Sequence, residues 1–86
     1  MVKAYVVEVI DGDTFKTKNT IRLERVDAPE LNQPGGKEAK QKLESLTLNK
    51  DITYEEKARD EFARIIAQVW VNNLNVNDTM NEFLGQ

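Results

Sequence analysis

The chain has 86 residues, of which 40% are hydrophobic and 31% charged, and its formal net charge is −3. This length favours a single domain over residues 1–86, and the composition is ordinary for a globular protein. There are no cysteines and no histidines, which excludes disulfides, thiolate nucleophiles, Cys/His zinc sites and histidine-dependent triads. An enzyme made from this chain must use carboxylates, arginines, lysines, tyrosines and water, and an oxygen-only ligand set favours a hard cation such as calcium or magnesium.

The charge balance and the apolar runs limit the partners. No apolar run is long enough to span a bilayer, and residues 1–10 lack the apolar region and cleavage site of a signal peptide. We therefore expect no membrane association, while the compartment is not indicated. The acidic balance counts against a protein that holds nucleic acid by bulk charge. Lys37, Lys40 and Lys42 could form a local basic patch, but a solvated helix face explains them more simply.

The N-terminal part of the chain predicts three strands. Residues 4–10 are rich in β-branched and aromatic side chains, which is typical of a strand. The Asp-Gly pair at 11–12 is a hairpin signal, and residues 14–18 and 20–26 predict two further strands. Three consecutive strands joined by tight turns form a meander.

A helix follows the meander, because Ala39, Leu43 and Leu46 recur at helical spacing between Gly36 and Asn49. Two more strands are predicted at residues 51–56 and 63–71, the latter turning back through residues 74–77. A short helix closes the chain. Its apolar face consists of Val76, Met80, Phe83 and Leu84. Asn77 is its predicted cap, and Gly85 is its predicted end.

Together these elements predict a mainly β fold with α-helices. Five short strands in so small a domain are expected to curl into a barrel, which removes their exposed edges. With one helix between strands three and four and a short C-terminal helix, the arrangement is that of a five-stranded Greek-key barrel of the OB-fold type.

Two acidic motifs carry most of the candidate chemistry. Asp13 lies in "DGDT" and Asp27 in "VDAPE". Each motif has a local explanation, as hairpin residues in the first case and as a strand ending at a proline in the second. Taken together, the two aspartates and the Ala28 carbonyl oxygen suggest an open hard-cation site, with positions left for water and a substrate phosphate. Glu30 could stand off the metal and activate water as a general base.

Two arginines are candidates for binding phosphate. Arg22 lies on the third predicted strand and Arg64 opens the fifth. An exposed arginine is the default for both positions. A guanidinium can also make two hydrogen bonds to a phosphate and stabilise charge that develops on phosphorus.

In these motifs the chain resembles the staphylococcal nuclease (thermonuclease-like) family. "VIDGDTF" is similar to the first hairpin of that family, and "IRLERVDAPE" to its third strand. "RDEFARIIAQV" and "LNVNDTMNEFLG" resemble its arginine-bearing turn and strand and its closing hairpin and helix. These four motifs occur in the family's order and cover the chain from about Val6 to the end.

The resemblance implies an OB barrel and calcium-dependent hydrolysis of phosphodiester bonds in DNA and RNA with little base specificity. It places the calcium ligands on Asp13, Asp27 and the Ala28 carbonyl, and the general base on Glu30. The two phosphate-binding arginines fall on Arg22 and Arg64. We therefore expect Ca²⁺ as cofactor, nucleic acid as substrate and a monomeric protein.

Two departures from the family pattern leave an alternative open. Phe62 stands where the family has tyrosine, and Ala63 stands where it has glycine, so alanine is strained if that position needs a positive φ. These residues and the acidic charge favour a non-catalytic, nuclease-like OB-fold module that binds nucleic acid or protein. The retained carboxylates and arginines favour an enzyme. A minimal nuclease of low activity is intermediate between the two.

Overall fold

Seven short strands and two helices make up the fold, in a computed structural model that describes all residues 1–86. In chain order the elements are β1 Val2–Tyr5, β2 Glu8–Asp11, β3 Thr14–Lys16, β4 Thr20–Leu23, α1 Gly36–Thr47, β5 Asp51–Arg59, β6 Ile65–Val71, β7 Leu74–Asn75 and α2 Val76–Leu84. Neither helix has the length and apolar character needed to cross a bilayer.

All seven strands belong to one sheet that curls back on itself. Its order is β1-β5-β6-β4-β3-β2, with β7 paired to β6, and β4 and β6 are its parallel neighbours. The two strands at the ends of this order, β1 and β2, are separated in sequence by only Val6 and Val7. The Val6 amide donates to the Lys50 carbonyl just before β5 (3.1 Å), and the Val7 amide donates to the Lys16 carbonyl of β3 (2.9 Å). The chain therefore changes partner within two residues, and the sheet forms a curled half-barrel.

The core lies inside this sheet and under the two helices. Alternate residues of β6, Ile65, Ala67 and Val69, are buried, as the period of two in a strand requires. On α1, Ala39 and Leu43 are fully buried, one turn apart on the same face. The fifteen buried hydrophobic residues form one cluster, so the helices and the sheet share a single core.

The mainly β fold with two helices is confirmed, but its division into strands differs from the prediction. The predicted first strand, residues 4–10, is split at Val6 and Val7, because the part before them pairs with β5 and the part after them pairs with β3. The predicted turn back through residues 74–77 contains a further strand of two residues, β7. Seven strands therefore replace the predicted five. For the same reason α1 lies between the fourth and fifth strands in chain order.

The ends of the elements depend on a few special residues. The third predicted strand stops at Leu23, and Arg25 just beyond it has a left-handed backbone (φ 60°). Gly85 ends α2 in the left-handed conformation (φ 75°), as predicted. The prediction that Asn77 caps α2 is wrong. Asn75 is the N-cap, and its side chain accepts a hydrogen bond from the Asp78 amide (2.8 Å), whereas Asn77 is buried.

Candidate active site

One polar cavity of about 650 Å³ brings together all the residues that the sequence singled out. It lies where the β2–β3 hairpin, the segment after β4 and the turn before β6 meet. The predicted residues on its wall are Asp13, Arg22, Asp27, Ala28, Glu30 and Arg64. Residues 51 positions apart in the sequence thus converge on one pocket, which is the first requirement of a composite active site.

Two glycines allow the parts of this site to approach one another. A Cβ atom on Gly12, in the β2–β3 hairpin, would lie 2.6 Å from the Ala39 Cβ of α1 and 2.7 Å from the Ala28 Cβ. A Cβ on Gly36, at the start of α1, would lie 1.9 Å from the Glu30 carbonyl oxygen. Both distances are far below contact distance, so only glycine permits this packing of the hairpin and the Ala28–Glu30 segment against α1.

The Asp13 carboxylate is held firmly. Its Oδ1 accepts a hydrogen bond from the Thr14 hydroxyl (2.8 Å), and its Oδ2 accepts one from the Ala28 amide (3.1 Å). The residue is only 7% exposed, and its carbonyl accepts from the Leu23 amide at the end of β4 (2.8 Å). The hairpin, β4 and the following segment are therefore joined through one aspartate.

Arg22 lies between the two predicted metal ligands. Its Nη2 is 3.5 Å from Asp13 Oδ2 and 3.8 Å from Asp27 Oδ1. The Asp27 side chain is otherwise 92% exposed. The carboxylates of Asp13 and Asp27 thus both face the Arg22 guanidinium. Their combined negative charge would attract a metal ion as well as it attracts this cation.

The donor set at this point fits an open hard-cation site. The two carboxylates and the carbonyl of Ala28, whose residue lies on the same wall, are oxygen donors of the kind that calcium prefers. No group of three or more Asp, Glu, His or Cys side chains is close enough to hold a metal. A metal here would therefore need its remaining ligands from water or substrate.

Asp11 adds a third carboxylate to the wall of the cavity. Burial raises the pKa of Asp11 above its ordinary value, and the side chain of neighbouring Asp13, through hydrogen bonding and charge, raises it further. The sequence interpretation of Asp11 as a hairpin residue also holds, because its Oδ1 accepts from the Asp13 amide (3.1 Å). The local explanation was sufficient, so nothing in the sequence marked Asp11 as part of the site.

Glu30 has a fixed backbone and a free carboxylate. Its amide donates to Gln33 Oε1 (2.9 Å), and its carbonyl accepts from the Gln33 amide (2.9 Å). The residue is exposed, and none of the ion pairs in the structure involves it. A carboxylate in this state can accept a proton from a water molecule in the cavity. Gln33 was not predicted, since a neutral amide just before a proline carries no distinctive signal.

Asp60 organises the turn that carries Arg64. Its Oδ1 accepts from the amides of Phe62 (2.9 Å) and Arg64 (3.0 Å), and its Oδ2 accepts from Arg64 Nε (2.6 Å). Burial acts to raise the pKa of Asp60, but these hydrogen bonds and the guanidinium charge outweigh it and lower the pKa below its ordinary value. Asp60 was not predicted as a site residue, although the Asp-x-x-x-Arg spacing is visible in the sequence.

The two departures from the family pattern both lie in this turn. Ala63 has φ 62°, so this position does need the left-handed backbone that favours glycine. Phe62 is 70% exposed, and its ring centroid is 5.5 Å from the Arg64 guanidinium. Arg64 nevertheless reaches the cavity wall, since Asp60 fixes its backbone and one edge of its guanidinium.

Comparison with known proteins places the chain in a family. The family described as "Staphylococcal nuclease homologue" matches residues 20–82, which is well over half of the chain. The chain therefore belongs to the staphylococcal nuclease family, and the resemblance noted in the sequence is confirmed.

Several curated bacterial proteins are similar to this chain. Protein ParB of Escherichia coli is 36% identical over 76 residues, which cover 83% of this chain and 43% of ParB. An uncharacterized endonuclease of Escherichia coli is 37% identical over 81 residues, covering 87% of this chain and 53% of the relative. The micrococcal nuclease of Shigella flexneri is 37% identical over 70 residues, covering 76% and 40% respectively. The chain thus spans about half the length of these relatives.

Proposed function

We propose that this protein is a metal-dependent nuclease that hydrolyses phosphodiester bonds of DNA or RNA with little base specificity. The observation that carries this proposal is the convergence of two carboxylates, a free glutamate and two arginines on one polar cavity. Family membership and the nuclease names of the relatives support it. We further propose that the curled sheet is an OB-type barrel, that residues 1–86 form one domain and that the protein is a monomer.

In this proposal the cavity would hold Ca²⁺ through Asp13, Asp27 and the Ala28 carbonyl. When bound, calcium supplies positive charge that polarises the scissile phosphate and orients it for in-line attack. Asp13 is the preorganised ligand, because Thr14 and Ala28 already fix its two oxygens. Asp27 supplies the second, more exposed carboxylate.

The protein's own side chains carry out the remaining steps. The Glu30 carboxylate accepts a proton from the attacking water, and its held backbone keeps it beside the cavity. Arg22 and Arg64 donate to phosphate oxygens, where charge increases in the transition state. Because Arg64 binds Asp60 through Nε, the two terminal nitrogens of its guanidinium remain to face the phosphate. Arg22 lies beside both carboxylates, and it would donate to the substrate phosphate if Asp13 and Asp27 held the metal instead.

A second candidate is a nuclease-like module that binds nucleic acid or protein without cutting it. The net charge of −3 and the loss of the family's tyrosine hydroxyl at Phe62 favour it. The free Glu30 carboxylate opposes it, since a module that only binds has no need of a general base.

Incubation with labelled substrates distinguishes the two candidates. Single-stranded DNA, double-stranded DNA and RNA would each be incubated with the protein in calcium, in magnesium and in chelator. We expect shortened products in calcium and intact substrate in chelator. Gel-shifted but intact nucleic acid, at enzyme in excess over substrate and in every metal, would establish the binding module instead.

A further inference from the structure

We propose that three side-chain amides at the C-terminal end of the structure, those of Asn77, Asn81 and Gln86, are positioning residues for the metal ligand Asp27. We call these three residues the amide clamp. The clamp rests on the proposed function, because Asp27 is a metal ligand only within that proposal. None of the three side chains was predicted as a site residue, and Asn77 was predicted only as the cap of α2.

The first member of the clamp is fully buried. Asn77 is 1% exposed and donates from Nδ2 to the Glu24 carbonyl (3.0 Å) and to the Ala67 carbonyl (3.0 Å). Its Oδ1 accepts from the Val69 amide (2.9 Å). This single side chain therefore joins α2 to β6 and to the residue that follows β4.

The other two members bind the segment that leads into the metal site. Asn81 Nδ2 donates to the Arg25 carbonyl (3.1 Å). Gln86 Nε2 donates to the Asp27 carbonyl (2.7 Å), and its Oε1 faces the Asp27 amide (3.4 Å). With Asn77, these bonds reach the carbonyls of residues 24, 25 and 27 in succession.

This segment needs an external support because it has left the sheet. Strand β4 ends at Leu23, and Arg25 adopts the left-handed conformation, which is strained for a residue other than glycine. The Asp27 side chain is 92% exposed, and its carboxylate has one contact, at 3.8 Å with Arg22. Asp13, in contrast, is fixed by hydrogen bonds to its own carboxylate. The position of Asp27 relative to Asp13 is thus set mainly through the Asp27 backbone.

Residues that orient a metal ligand without touching the metal typically change metal affinity or activity by about 10–100-fold when removed. The clamp acts on the backbone of one ligand at the surface, so we expect the lower end of this range, roughly tenfold per side chain. The loss should appear in the dissociation constant for calcium and be rescued by excess calcium.

Asn81→Ala and Gln86→Ala are the informative variants. Asn81→Ala removes one hydrogen bond, but it also removes a buried Oδ1 that has no partner, so the fold should lose little stability. Gln86 is exposed, and its truncation leaves groups that water can satisfy. Matched controls are Asn73→Ala and Gln41→Ala, which remove exposed amides outside the clamp.

Calorimetric titration with calcium chloride, alongside thermal melting in chelator, measures both properties. We expect calcium binding roughly tenfold weaker in both clamp variants, wild-type binding in both controls, and melting temperatures close to that of the wild type. At saturating calcium, kcat and the KM for an oligonucleotide should return to their wild-type values. Clamp variants that bind calcium as tightly as the wild type, or that lose affinity only in proportion to a lower melting temperature, would overturn the proposal.

Amide hydrogen exchange separates a failure of the clamp from a failure of the proposed function. If the wild type binds no calcium, the metal site is wrong and the assignment of these residues as positioning residues for a metal ligand falls with it. The contact between Gln86 and the Asp27 backbone is tested separately, in chelator. There the Asp27 amide should exchange faster in Gln86→Ala than in Gln41→Ala. Equal exchange in the two variants would show that Gln86 does not hold this segment.

Discussion

Replacing Ala63 by glycine should stabilise the fold, because this residue holds a backbone conformation that suits glycine. Its φ is 62°, in a turn closed by the hydrogen bond from the Ala63 amide to the Asp60 carbonyl (3.1 Å). The left-handed conformation costs a non-glycine residue about 1–2 kcal/mol. Glycine, however, loses about 0.5–1 kcal/mol more conformational freedom on folding than alanine does.

At the middle of each range, these terms leave a gain of about 0.75 kcal/mol in the free energy of unfolding. In a domain of this size 1 kcal/mol corresponds to about 4–8 °C, so the melting temperature should rise by about 3–6 °C. The matched control is Ala58→Gly, at an exposed residue of β5 with no positive φ, which should be destabilised by about 0.5–1 kcal/mol.

Thermal melting followed by circular dichroism, in chelator, compares the three proteins directly. We expect the melting temperature to rise in Ala63→Gly and to fall in Ala58→Gly. If Ala63→Gly lowers the melting temperature as Ala58→Gly does, the left-handed turn does not strain this residue in solution, and the reasoning is refuted.

Three further substitutions test other parts of the account. Asp60→Asn should lower the melting temperature at neutral pH. The pKa of Asp60 is lower in the folded protein than its unfolded value of about 3.9, so Asp60 stabilises the fold above that value. This stabilisation is lost as the pH falls through the folded-state pKa, and the melting temperatures of the variant and the wild type should converge there. A melting-temperature difference that stays the same at acid pH would contradict this. Asn77→Ala leaves the Val69 amide and the Glu24 carbonyl unpaired and should cost about 2–6 kcal/mol in urea unfolding, and a cost under 1 kcal/mol would oppose the assigned bonds. Arg22→Lys should slow cleavage by roughly 10²-fold with little change in stability, since lysine lacks the two-nitrogen fork; wild-type rates would exclude this role.

Local sequence signals predicted the parts of the fold that depend on neighbouring residues. The Asp-Gly pair at 11–12 predicted the hairpin, and the spacing of Ala39 and Leu43 predicted the buried face of α1. The change of partner at Val6 and Val7 was not predictable in this way. Residues 4–10 are rich in β-branched and aromatic side chains throughout, and nothing in them shows that the two halves pair with different strands, β5 and β3.

The candidate site shows the same limit. Carboxylates and arginines attract notice in a sequence because their chemistry is distinctive, and the six predicted residues do lie on one cavity. The neutral amides that hold them do not attract notice. Asn75 and Asn77 are equally suitable caps by type, and only tertiary contacts decide that Asn77 is buried instead. Gln86 reaches Asp27 across 59 positions in the sequence, which no local pattern reveals.

The single-turnover rate of phosphodiester cleavage in calcium, compared between the wild type and Glu30→Gln, tests whether this protein is a nuclease that uses Glu30 as its general base. We expect cleavage by the wild type that stops in chelator, and a loss of about 10²–10⁴-fold in Glu30→Gln, because the variant retains the metal ligands but has no carboxylate to accept the proton. The control Glu82→Gln, at an exposed residue of α2, should cleave at the wild-type rate. Equal rates for the wild type and Glu30→Gln, or no calcium-dependent cleavage by the wild type, would contradict it.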